Sequence, residues 1–368
     1  MAEENKEKQT REQAQASAPK KDEKKKEEGV LYLGMDLGTS RTAVAASNGA
    51  RESMFSAVGY PKDIISKKLF KGRDALFGVE ALKKRTSLNL YQPLEKGYIK
   101  SKGLEPKEAE ANKKAAKDIL CRALEFARPR KGELTYAVIG APAQASMENK
   151  RLIIDAVRSR VDSVIICSEP FAVAYGLDRL DETLVIDIGA GTVDLCRMHG
   201  TMPEPEDQIT LDTAGDFVDR QFLNNLKKSY PEAQITIHIV KEIKEKYSTV
   251  EETVEPIKVT LFVEGRPKEF DITKELREAC LSVVKPMVNA LYKLIATFDP
   301  EFQATLRNNV MLGGGGSQIR GLDRALEAAM AELGGGRVVK VEEPLYAGSN
   351  GALKIAHDMP EEYWEKLS

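Results

Sequence analysis

Two short stretches hold the residues of this chain best suited to chemistry. In YLGMDLGTSRTAVAAS (residues 32–47) an apolar run ends in Asp36, turns through Gly38, Thr39 and Ser40, and resumes as a second apolar run. In TLVIDIGAGTVDLCRM (183–198) the device recurs, with Asp187 in the place of Asp36 and Gly189, Ala190, Gly191 and Thr192 as its turn. A plain hairpin needs the glycine, but it does not need a carboxylate ending a buried-looking strand. Glycine-rich turns let successive backbone N–H groups converge on an anion, because no side chain blocks the approach. The hydroxyls of Thr39, Ser40 and Thr192 can add donors. Carboxylates alone would repel phosphate, so Asp36 and Asp187 call for a cation between them. Magnesium suits this place, since it keeps several waters and is shared between few carboxylates and substrate phosphates. Two such turns could clamp a triphosphate from opposite sides.

A third cluster points the same way. In NNVMLGGGGSQIRGL an apolar strand at 308–312 runs into Gly313, Gly314, Gly315 and Gly316, and a helix is expected to open near Ser317. It is not a dinucleotide fingerprint, because glycine would be needed where Gln318 or Ile319 stands, and no G-K-[ST] follows to make a P-loop. A flat glycine strip after a strand still lets a planar base or an α-phosphate approach the backbone. Each piece alone fits an ordinary turn. Two matched hairpins and a strand–glycine–helix junction in this order favour a ligand.

The elements that must position these residues can be read from the same rows. VLYLGMD, LTYAVIG, SVIIC, TLVIDIG and NNVMLGG are short, continuously apolar runs, as strands buried on both faces require. Residues 106–127, 146–158 and 273–297 carry helical periodicity; in the last, Leu276, Cys280, Val283, Val284, Met287 and Leu291 form one stripe. Strands alternating with helices indicate an α/β architecture. Asp36 and Asp187 lie 151 residues apart, so the repeated hairpin implies two similar domains facing a shared cleft.

Composition narrows the classes. The 368 residues are 42% hydrophobic and 30% charged with a net charge of -2, which allows a sizeable core and argues against a dominant nucleic-acid footprint. The four cysteines form no C-x-x-C pair, so neither a zinc site nor a disulfide framework is indicated and a reduced cytoplasm is the simpler reading. No apolar run approaches the ~18 residues of a membrane span. Residues 1–28 contain eight basic and eight acidic residues and, from Ala2 on, no Val, Ile, Leu, Phe, Tyr or Trp, so a disordered tail with no face for direct membrane insertion is expected. The three histidines are scattered, and Tyr363 and Trp364 read as anchors of the C-terminal segment.

The three glycine segments resemble the phosphate-1, phosphate-2 and adenosine motifs of the actin and heat-shock chaperone ATPase superfamily, and the likeness spans residues 30–357. It implies an actin-like ATPase fold, with two ribonuclease H-like α/β domains around a nucleotide cleft. Domain I would span 29–180 (small subdomain about 58–105), completed by 352–368, and domain II 181–351 (small subdomain about 216–265). VIICSEPFAVAYG resembles the first interdomain helix, making Glu169 the residue that positions the attacking water, while SNGALKIAHDM is like the second. TAGDFVDRQF resembles the segment beside sugar and phosphates, including Gly215, Asp216 and Asp219. KEIKEKY resembles ribose and adenine contacts at Lys244 and Glu245, although by pattern alone it is an ordinary exposed helix face. The adenosine motif places Gly314, Gly315, Gly316, Ser317 and Gln318 at the nucleotide.

VGYPKDIISKKL, YQPLEKG, PEPEDQITL and MPEEYWEKL are similar to the magnetosome filament actins, whose pattern does not lead one to expect the charged tail. The resemblance implies ATP/ADP and Mg²⁺ as cofactors, head-to-tail self-assembly into cytoplasmic filaments, and adaptor proteins on magnetosomes. A cell-shape actin of the MreB type and a small-molecule kinase on the same fold are the rival readings. No acceptor pocket with a base is apparent for the kinase, and only 17 residues follow Gly351, too few for a chaperone's substrate domain. Preference for ATP over GTP is not readable from these residues.

Overall fold

The computed structural model describes residues 29–101 and 103–367, so the charged segment 1–28 lies outside the described residues. The chain opens with an antiparallel meander, β1 (Val30–Leu37), β2 (Arg41–Ala46) and β3 (Arg51–Phe55). A small three-stranded sheet follows, of β4 (Val58–Pro61), β5 (Leu76–Phe77) and β6 (Leu88–Tyr91), then a short hairpin of β7 (Leu94–Glu95) and β8 (Tyr98–Ile99). Strands β9 (Leu134–Ala141) and β10 (Ser163–Ser168) return parallel to β1, giving the sheet order β10-β9-β1-β2-β3.

The second half repeats this plan. A meander of β11 (Thr183–Ile188), β12 (Val193–Met198) and β13 (Gln208–Leu211) is followed by the ribbon β14 (Lys258–Val263)–β15 (Arg266–Asp271). Parallel β16 (Val310–Gly313) and β17 (Val338–Lys340) then complete the order β13-β12-β11-β16-β17. The five strands expected from apolar runs lie at these places, with ends shifted by at most two residues.

Two-residue periodicity sends each central strand into two layers. In β9, Ala137, Ile139 and Ala141 join one core with Leu120 and Ala123 of the helix Pro106–Glu125 and Ile153 of the helix Met147–Val157. Tyr136 and Val138 point the other way, into a core shared with Val185 of β11. That middle layer contains the helices Glu169–Gly176 and Ala347–Asp358, which cross almost without side chains between them. A Cβ at Gly351 would lie 1.7 Å from the Ala172 carbonyl oxygen, so only glycine permits this approach. Trp364 is fully buried here, stacked on Tyr136 at 5.0 Å, whereas Tyr363 is exposed beneath the Lys366 ammonium.

The single helix expected over 273–297 is instead two, Thr273–Leu281 and Val284–Ala296. The cause is Pro286, which has no N–H to offer the carbonyl four residues back and crowds it; Ser282 Oγ caps the first helix by donating to Ala279 O at 2.6 Å. Taken end to end, Thr273–Ala296 is long and apolar enough to cross a membrane, against the expectation that no stretch is. Yet 56% of its 18-residue apolar window is buried inside the protein, and Leu276, Cys280, Met287 and Leu291 pack into the second core.

Candidate functional site

Strands β1 and β11 end side by side on a cleft of about 450 Å³ between the two halves, and both turns open onto it. Asp36 and Asp187 stand at the strand ends, and Glu169 enters as the first residue of its helix, followed by Pro170, whose missing N–H costs nothing there. These three carboxylates acidify poorly. Burial pushes Asp36 up to about 6 from 3.8. Burial, and then Asp36, Asp194 and Asp187, holds Glu169 well above the usual carboxylate range. Asp187 is likewise held well above that range by burial and by Asp36 and Asp194.

Asp194 was not anticipated. It is paired directly opposite Asp187 in the β11–β12 register and is almost wholly buried. Its Oδ1 accepts from Thr210 Oγ1 at 2.6 Å and from the Ala143 N–H at 2.9 Å, and the Thr192 hydroxyl also supports the carboxyl group. A carboxylate inside an apolar strand was the same signal that singled out Asp187, and it applies equally to VDLC.

Such a concentration of buried negative charge fits a divalent cation better than it fits an empty cleft. Among the described residues no three His, Cys, Asp or Glu side chains converge closely enough to hold a metal directly. The arrangement therefore suits an ion held through its waters and by phosphate.

The first turn presents Gly38, Thr39 and Ser40 to the cleft. Its shape is fixed from outside: the Gly97 N–H donates to Thr39 Oγ1 at 2.8 Å, and Ser56 Oγ donates to Gly38 O at 2.7 Å. In the second turn only Gly189 and Ala190 line the cleft. Their carbonyls accept the Gly215 and Asp216 N–H groups, at 3.1 and 2.7 Å, which orients the turn against the helix Gly215–Ser229. Gly191 faces the first turn, where a Cβ would lie 2.4 Å from Thr39 Oγ1. Thr192 is buried and hydrogen-bonds Asp194. Both position the turn without lining the cleft.

The glycine junction also differs from expectation. Residues Gly315–Gln318 form a 3₁₀ turn, and the α-helix opens only at Leu322, because Gly321 takes a left-handed conformation at φ +75°. Gly314, Gly315, Gly316 and Gln318 line the cleft, but Ser317 is turned inward, its hydroxyl donating to Gly314 O at 2.7 Å. Gly316 packs on β11, where a Cβ would meet Ile188 Cγ2 at 2.2 Å.

Gly215, Lys244 and Glu245 line the cleft, and Asp216 does not. Lys244 forms a shielded ion pair with Asp219 at 2.7 Å and donates to Gly215 O at 2.9 Å. It thereby ties the helix Ile237–Tyr247 to the start of Gly215–Ser229, so its side chain is not a solvated one. Unforeseen cations also border the cleft, namely Arg41, Lys241, Lys246 and Arg320. Arg41 lies flat on Phe55, 3.9 Å from the ring centre, and Lys241 donates across the cleft to Ser40 Oγ at 2.9 Å. Lys241 and Lys246 belong to the KEIKEKY stretch, whose pattern alone does not tell a ligand from an exposed helix face.

This chain resembles known proteins over nearly its whole length. A model of the MreB/Mbl protein family matches residues 31–362. The actin-like protein MamK of Paramagnetospirillum magneticum is 37% identical over 337 residues, covering 92% of this chain and 95% of that one. Among solved structures, the MamK double helical filament superposes with a TM-score of 0.85 at 37% identity, over 90% of this chain and 99% of the other. A non-polymerising MamK mutant bound to AMPPNP gives a TM-score of 0.68 at 36% identity over the same shares. The chain belongs to the MreB/Mbl family, with the two-domain α/β actin-like fold, and within that family it is an actin-like protein related to MamK.

Proposed function

We propose that this protein is an ATP-hydrolysing cytoskeletal protein that polymerises into cytoplasmic filaments and organises or positions magnetosomes through adaptor proteins. The carrying observation is the cleft, where two backbone turns suited to phosphate meet a cluster of buried carboxylates that calls for a cation. ATP or ADP would lie between the turns, with its base towards Glu245 and the strip Gly314–Gln318. Asp36 and Asp187 would hold the waters of Mg²⁺, which when bound offsets phosphate charge. Glu169, ionised once that cation is present, would orient a water in line with the γ-phosphorus and take its proton as the bond to the β–γ bridging oxygen breaks.

Assembly is supported by the relatives, which include a MamK double helical filament. Head-to-tail contacts that do not close give a filament. On this reading the domains are 29–180 completed by 352–368, and 181–351, with small subdomains at about 58–105 and 216–265.

Sedimentation of the full chain with Mg-ATP, without nucleotide, and as Glu169→Ala, counting phosphate in each tube, tests this. ATP-dependent pelleting, with phosphate release lost in the variant, is the expected result. Phosphate release without any polymer would overturn the filament, and polymer without phosphate release from the unaltered chain would overturn the ATPase.

A further inference from the structure

Lys241 is placed unlike any other cation in the cleft. It belongs to the helix Ile237–Tyr247 in the second half, yet its Nζ reaches Ser40 Oγ on the first phosphate turn, and both residues line the cavity. No described carboxylate forms an ion pair with it. Lys244, almost one turn further along, is committed to Asp219 and to the Gly215 carbonyl. Asp216 lies near enough for Lys241 to influence its acidity but is not bonded to it. An ammonium has three donors, and here one neutral hydroxyl occupies one of them, beside a backbone turn shaped for an anion.

We infer that Lys241 is a further phosphate ligand, contributed by the second half of the molecule to the terminal phosphate of a nucleoside triphosphate seated on Gly38–Ser40. The inference rests on the nucleotide-binding reading above and adds to it a residue and a consequence. Because the contact bridges the two halves, it exists only while the cleft is closed. A terminal phosphate then rewards closure, and its loss removes that reward. Charge-assisted hydrogen bonds to phosphate are about twice as strong as neutral ones, so the anion displaces Ser40 as the preferred partner.

The test titrates fluorescently labelled AMPPNP, ADP and adenosine, with Mg²⁺, into the full chain and its Lys241→Met and Lys241→Arg forms. Lys241→Met should weaken AMPPNP roughly 10- to 100-fold, as expected for one charged hydrogen bond. ADP should weaken clearly less and adenosine not at all, and Lys241→Arg should recover most of the loss. Equal affinity of Lys241→Met and the unaltered chain for AMPPNP would overturn the inference, as would equal weakening of all three ligands. Failure of the unaltered chain to bind any of them would instead overturn the nucleotide reading itself. Melting curves without ligand identify a misfolded variant, in which case Lys241→Gln against Lys241→Arg gives the same comparison.

Discussion

The two hairpins share a strand plan and a motif, but they have been equipped differently. Opposite Asp36 in the first stands Ala43; opposite Asp187 in the second stands another carboxylate, Asp194. The first turn faces the cleft with hydroxyls, and these are tied to distant segments by Gly97 and Lys241. The second turn faces it with bare backbone, and its threonine is folded inward onto Asp194. Charge is therefore gathered on the second hairpin and adaptable donors on the first. A duplicated motif fixes where a ligand can sit, while the neighbours of each copy decide what that copy contributes.

Asp187→Asn puts this division under the largest strain. It should lower Mg-dependent phosphate release by about 10²–10³-fold, the scale of losing a charged group aimed at the transition state. Ser40→Ala should cost nearer 10-fold, and equal losses would erase the contrast between charge and donor.

The pH dependence of the empty protein comes next. Burial raises the Asp36 carboxyl from 3.8 to about 6, so the folded cleft holds this proton more tightly than the unfolded chain does. The stability it supplies is full below pH 3.8 and is lost as pH rises through about 6. At neutral pH, Asp36→Asn should therefore be more stable without ligand by roughly 2–3 kcal/mol, measured by denaturant unfolding, while binding Mg-nucleotide poorly. An unchanged midpoint would mean the first hairpin carries no charge strain of its own.

Asp194→Asn isolates what the second hairpin adds. Removing this neighbour should lower the pKa values of Glu169 and Asp187, both of which it raises. The acid limb of the phosphate-release profile should then move to lower pH, and a profile that stays in place would leave Asp194 as scaffold only. The smallest effect is expected at Thr39→Ala, which removes the acceptor of the Gly97 N–H. Loss of about 1 kcal/mol in thermal unfolding, with nucleotide affinity little changed, would mark that hydroxyl as a tether for the turn.

Much of this was legible in the residues. Continuous apolar runs located the central strands because burial on both faces leaves no room for polar side chains. The Asp-x-Gly turns and the four glycines located the cleft. What could not be read was which way each turn residue faces. Ser317 looks like a donor to a ligand, but a 3₁₀ turn brings its hydroxyl back to Gly314. Lys241 and Lys244 stand three apart on one helix and look alike, yet one is held by Asp219 and the other reaches a different domain. Such assignments depend on partners far away in sequence. The break before Val284 is written in Pro286, whose missing N–H overrides the apolar stripe that runs through both helices.

The glycine crossing of the two middle helices makes a fulcrum. Helix Glu169–Gly176 meets its partner at Ala172, and helix Ala347–Asp358 meets it at Gly351, in backbone contact that can neither stretch nor compress. At 1.5 Å per residue, Glu169 lies about 4.5 Å from that point along one arm, and Gly348 about 4.5 Å along the other. Gly348 rests on Asp36, whose Oδ2 would be 2.8 Å from a Cβ there. Any turning of one half on the other about this contact would therefore pivot within one helical turn of Glu169 and of the glycine that rests on Asp36.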